Sequence, residues 1–106
     1  MKHFMIKYRR VNGSEEAWHA KIARFISALD GDPALAGKIK YTSLKVVGGT
    51  DYYHLAEAAD EAAAKALASR DFFKLYKEET SEASSGGVEV LPLELIAETR
   101  SRELAG

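Results

Sequence analysis

The chain has 106 residues, enough for one domain and little more. At 46% hydrophobic and 29% charged it has the composition of a soluble globular protein, and its net charge of −1 argues against a nucleic-acid partner held by phosphate neutralisation. It contains no cysteine, which excludes disulfides and thiolate metal sites and fits a cytoplasmic address.

The opening residues MKHFMIKYRR hold no long apolar stretch, and no run approaches bilayer-spanning length, so no membrane partner is expected. From His3 to Arg10 the sequence alternates, with Phe4, Ile6 and Tyr8 on one face and Met5, Lys7 and Arg9 on the other. That period of two predicts a strand. Asn12-Gly13 signals a turn, and Ser14 followed by Glu15 and Glu16 signals a helix start. Trp18, Ile22, Phe25, Ile26 and Leu29 then fall on one stripe of a helix that Asp30-Gly31-Asp32-Pro33 ends. Pro33–Gly37 is read as one short helical turn.

A second strand is predicted over Ile39–Val47, turning at Gly48-Gly49 into a third over Tyr52–Ala58. The third passes straight into an alanine-rich helix over Asp60–Ser69, whose inner side carries Ala59, Ala63, Ala66 and Leu67. A second helical piece over Phe72–Glu82 places Phe72, Leu75 and Tyr76 together. After the loop Ser84–Gly87, a last strand is expected over Val88–Ile96. Pro92 cannot donate to a ladder and sends that strand to an edge. Residues 1–99 are read as one domain, and 100–106 as a polar tail.

The order β-α-β-β-α-β, with its second helix broken in two, is that of an α+β ferredoxin-like fold with a four-stranded antiparallel sheet. The first and third strands should be central. One sheet face would be covered by helices, and the other is too apolar to stay wet. A homodimer joined through that open face is the expected solution.

Glu16-Ala17-Trp18-His19-Ala20, Tyr52-Tyr53-His54-Leu55-Ala56-Glu57 and the break Ala68-Ser69 before Phe72-Phe73 together resemble the EthD-like group. That group belongs to the dimeric α+β barrel superfamily, which also holds the antibiotic-biosynthesis monooxygenases. The chain departs from the group where Lys21 and Ile22 stand in place of a proline, and where Ala58 and Ala59 replace strand-end aromatics. The resemblance implies the fold, the dimer and a hydrophobic small-molecule ligand. It also implies a range of activities, from oxygenation without a bound cofactor to cyclisation and isomerisation.

His54 shares a strand face with Tyr52 and Ala56. An imidazole beside a phenol suits acid–base chemistry on an enolisable or phenolic molecule. His19 lies at the border of the helical stripe, where it can reach a pocket or face solvent. His19, His54 and Tyr52 are the candidate catalytic residues, and Tyr8, Trp18, Ala63 and Leu67 the candidate substrate-binding ones. Alternation leaves open whether His54 faces the helices or the dimer core, because both faces of its strand are apolar. The histidines match no metal-site spacing, and no metal is expected. A non-catalytic, small-ligand-binding dimer is the competing reading.

Overall fold

The computed structural model describes residues 1–99; the predicted tail at 100–106 lies outside them. Four strands and three helices follow one another as β1 (Lys2–Arg9), α1 (Glu15–Asp30), β2 (Ile39–Lys45), β3 (Asp51–Ala58), α2 (Glu61–Ala68), α3 (Asp71–Ser84) and β4 (Glu89–Leu93). The sheet order is β2-β3-β1-β4, with every neighbouring pair antiparallel. β1 and β3 are therefore central and β4 lies at an edge, where Pro92 needs no ladder donor. This is the ferredoxin-like α+β fold.

The α1 stripe buries Trp18, Ile22, Phe25 and Leu29 against the sheet. Ser14 caps the helix by accepting from the Ala17 amide at 3.1 Å. Tyr8 and Tyr52 from the central strands, Leu67 from α2 and Tyr76 from α3 complete the core, with Leu35 plugging one end. Residues 33–37 form a single turn that does not extend into a helix: the Leu35 and Ala36 amides both return to the Asp32 carbonyl.

Two strands are shorter than their apolar residues suggest. β2 stops at Lys45 because Val46 already belongs to the turn, its amide bonded to the Asp51 carbonyl. Gly48 completes that turn at a φ of 75°, leaving Val47 97% exposed. β4 ends at Leu93, so Leu95 and Ile96 lie beyond the ladder and exposed.

Asp60 starts α2 by accepting from the Ala63 amide at 2.8 Å. The break between α2 and α3 falls at Ser69-Arg70, and Arg70 is anchored to Asp32 at 2.7 Å, beyond the end of α1. With only eight residues, α2 depends on its cap. Asp60→Ala should cost about 1 kcal/mol in urea unfolding; a loss near zero would mean that packing alone holds this helix.

Pairing settles the faces. Ile6 lies opposite His54, and Tyr8 opposite Tyr52, all on the helix side. Met5, Leu44, Tyr53, Leu55, Leu91 and Leu93 share the uncovered face. Ion pairs Lys7–Glu89 and Arg9–Asp51 lie on that same face.

Candidate functional site

His54 is fully buried, at 0% exposure, and four hydroxyl groups converge on its ring. Nε2 lies 2.9 Å from the Tyr8 hydroxyl and 3.0 Å from Ser43 Oγ. Nδ1 lies 2.6 Å from the Tyr41 hydroxyl and 3.2 Å from that of Tyr76. These partners come from β1, β2 and α3. Antiparallel register places Ser43 directly across from His54, and Tyr41 across from Ala56, so alternation puts all four on one face.

Burial drives the His54 pKa down to about 4, so the ring is neutral at pH 7. Burial also pushes the phenols of Tyr8, Tyr41 and Tyr76 up, and they remain protonated. A neutral imidazole offers one N–H and one lone pair. The Trp18 indole N–H donates to the Tyr8 oxygen at 2.9 Å, leaving the Tyr8 hydrogen to point at Nε2. We therefore assign the ring proton to Nδ1, which donates it to Tyr41. The hydroxyl hydrogens of Tyr41 and Tyr76 are then not needed by the ring.

Those two phenols line a cavity of about 540 Å³ between the sheet and helices α2 and α3. Its walls are mostly apolar: Phe4, Ile6, Ile39, Ala64, Leu67, Phe73, Val88 and Val90 among them. Small residues on α2 leave the room. The volume suits a drug-sized molecule, and a largely apolar wall with a few polar groups is what such sites show.

The sequence-predicted residues divide around this cavity. Leu67 lines it, whereas Ala64 and not Ala63 is the α2 alanine that faces it. Ala63 is buried at 4% exposure. His54 sits behind the wall, one hydrogen bond away through Tyr41 or Tyr76. Tyr8 and Trp18 are in the core behind His54. His19 is exposed and bonds the buried Tyr52 hydroxyl at 2.8 Å, away from the cavity. Tyr8 and Tyr52 also border a second, smaller depression of about 300 Å³ rimmed by Arg9, Asp51 and Glu89.

Tyr41, Ser43 and Tyr76 were not singled out by the sequence reading. The signal for the first two was the hairpin at Gly48-Gly49: fixing its register puts Tyr41 and Ser43 on the His54 face. Tyr76 falls beside Phe72 and Leu75 at helical spacing, but nothing in the sequence links it to a histidine 22 residues away. Among the described residues, no three His, Cys, Asp or Glu side chains gather as metal ligands would.

No protein-family model matches the chain, and no curated protein matches its sequence. Solved structures do share its fold. A mutant of SnoaB, a cofactor-independent oxygenase from Streptomyces nogalater, superimposes with a TM-score of 0.74 at 15% identity, covering 94% of this chain and 98% of that one. An antibiotic biosynthesis monooxygenase gives a TM-score of 0.75 at 9% identity, covering 92% of this chain and 100% of the other. A dimeric ferredoxin-like protein of unknown function from Jannaschia sp. CCS1 gives 0.62 at 18% identity, covering 90% and 100%. Identities this low establish a common fold, the ferredoxin-like α+β arrangement, and nothing further. Among the described residues, no helix is long and apolar enough to cross a membrane.

Proposed function

We propose that this chain is a homodimeric enzyme that takes a hydrophobic phenolic or enolisable molecule into the helix–sheet cavity and oxygenates or rearranges it without a bound cofactor. The observation that carries the reading is the pair of neutral phenols, Tyr41 and Tyr76, held by buried His54 at the wall of an otherwise apolar cavity. A ligand oxygen placed there would accept the Tyr41 hydrogen, with Tyr76 donating to the Tyr41 oxygen behind it. Donors aimed at an oxygen as it becomes enolate or phenolate favour the charged form most, which is the differential binding catalysis needs. The solved structures of the same fold named as oxygenases point to the same kind of chemistry.

His54 acts in this scheme as a positioning residue. An imidazole with a pKa of about 4 is a weak base towards a phenol near 10, a gap of roughly 8 kcal/mol. The favoured substrates are therefore those that ionise easily themselves, such as 1,3-dicarbonyl enols or acidic polycyclic phenols. In the oxygenase form, the ionised ring supplies the electrons. One oxygen atom of O2 becomes a ring carbonyl, the other leaves as water, and the phenol ends as a quinone.

Incubation with a dihydroxynaphthalene should give saturable binding, then oxygen uptake matched one-to-one by quinone absorbance. Leu67→Trp fills the cavity and should weaken binding at least tenfold. Binding without oxygen uptake or rearrangement would leave the second reading, a ligand-binding dimer, which the sealing of His54 favours. No binding would remove both.

The second copy would cover the uncovered sheet face. Leu44, Tyr53, Leu55, Leu91 and Leu93 lie there partly exposed, a patch a lone subunit would leave in water. Leu55→Arg places a charge at its centre and should convert a dimeric mass at micromolar concentration to a monomeric one. A wild-type monomer at that concentration would refute the dimer. A cysteine-free chain fits the reducing cytoplasm as its place of work.

A further inference from the structure

We propose that the cavity selects acidic ligands: a phenolic or enolic ring system that also bears a carboxylate, which Lys77 holds at the solvent edge. The proposal rests on the cavity reading above and names the class of molecule that fits it.

Helix α3 presents Phe73, Tyr76, Lys77, Thr80 and Ser81 to the cavity. They fall at i, i+3, i+4, i+7 and i+8, the stripe that an amphipathic helix keeps apolar when it covers a core. Phe73 and Tyr76 follow that pattern, whereas the next turn is polar. Thr80 commits its hydroxyl to the Tyr76 carbonyl at 2.7 Å. The Lys77 Nζ lies 5.6 Å from the centroid of the Phe73 ring, itself part of the wall. The ammonium is therefore kept beside the cavity, where attraction to the ring face helps to hold it.

The charges around the cavity do not cancel. Glu57 is the other ionic residue of the wall. Its two carboxylate oxygens are already met by His3 Nδ1 at 3.4 Å and Lys40 Nζ at 4.0 Å. Lys7, Lys21, Lys40, Lys45 and Lys65 each pair with a carboxylate, and among the described residues Lys77 pairs with none. What remains at the wall is an unmatched positive charge, so an anion is attracted there and a second cation repelled.

The position of that charge also orients the ligand. Lys77 is exposed, so this stretch of the wall opens to water. A carboxylate meets the ammonium there while keeping part of its hydration, which limits the desolvation cost. Ser81, one helical turn further on, lines the same wall and offers the second carboxylate oxygen a hydroxyl donor. The apolar body then fills the interior between Ile6, Ile39, Leu67 and Val88. Its phenolic or enolic oxygen is left to Tyr41.

Titration with a hydroxynaphthoate carrying its two groups on opposite rings, and with the matching primary carboxamide, separates charge from shape. Wild type should bind the acid about fivefold more tightly than the amide, the effect of one partly exposed ion pair. The preference should disappear as salt approaches about 1 M and the screening length shrinks to about 3 Å. Lys77→Met keeps the stem and removes the charge, so it should lower acid binding to the level of the amide and leave the amide unchanged. Lys77→Arg should retain the preference. Leu67→Trp should weaken acid and amide together, as expected if both lie in the cavity. Equal binding of acid and amide by wild type would overturn the proposal. So would a preference that survives Lys77→Met, or acid binding that Leu67→Trp leaves intact. The uncharged amide reports on the cavity alone: if it binds and the acid gains nothing, this proposal fails and the cavity reading stands. If neither probe binds, the proposal fails, and the dihydroxynaphthalene titration decides the cavity reading separately.

Discussion

His54→Ala should cost about 4 kcal/mol of unfolding free energy and lower the Tm by roughly 20 °C. The side chain is fully buried, and its removal has two separate effects. It opens a void that the surrounding rings can only partly fill. It also takes the acceptor from Tyr8 and the donor from Tyr41, leaving buried hydroxyls to compete for partners. Either effect alone is worth about 1–3 kcal/mol, and a small domain has only about 5–15 to lose. His54→Leu separates them, since it keeps most of the volume and removes both nitrogens. A loss above about 2 kcal/mol in the leucine variant would put the weight on the hydroxyl network. Urea unfolding at a fixed protein concentration measures both, because a dimer's apparent stability depends on concentration. A loss below 1 kcal/mol in His54→Ala would mean that the network contributes little.

The same histidine shows where sequence reading reaches its limit. The fold was legible because its evidence is local. The α1 stripe, the turn glycines, the helix break after Ala68 and Pro92 at an edge each act over a few residues. The orientation of β3 was not, because Tyr52 and His54 on one face and Tyr53 and Leu55 on the other are equally suited to burial. The deciding factor is the helix layer. Only the face carrying Tyr52 and His54 meets Trp18 and Tyr76 from α1 and α3. The cavity was half-legible: the alanines of α2 signalled room, but the residue that faces it is Ala64, one position from the alanine chosen. Over an eight-residue helix with alanines on several sides, composition fixes no rotation. Tyr41 is the clearest omission. It read simply as a strand former, and only the β2–β3 register brings it within 2.6 Å of His54.

Stability should fall by about 3 kcal/mol as the pH drops from 6.5 to 4, and His54 should account for most of the fall. Burial holds the folded pKa near 4, while the unfolded chain titrates near 6.5. Between those values the unfolded state binds more protons, so acid favours unfolding. The contribution is fully present above about pH 6.5 and is lost as the pH falls towards 4. The titratable groups packed around the ring from β1, β2, β3 and α3 are phenols, so no carboxylate offsets the cost of charging it. Protonation would also turn Nε2 from an acceptor of the Tyr8 hydrogen into a donor facing it, and the Tyr8 oxygen already receives the Trp18 N–H. The carboxyls of Asp32 and Glu15 are held low by Arg70 and Lys45, and the stability they add disappears only at the acid end of the range. Urea midpoints at half-unit pH intervals should therefore trace a slope concentrated between pH 6.5 and 4.5, and His54→Leu should flatten it. A wild-type curve level across that interval would mean that the imidazole is not held neutral by burial, and the assignment of the Tyr41 hydroxyl as a free donor would go with it.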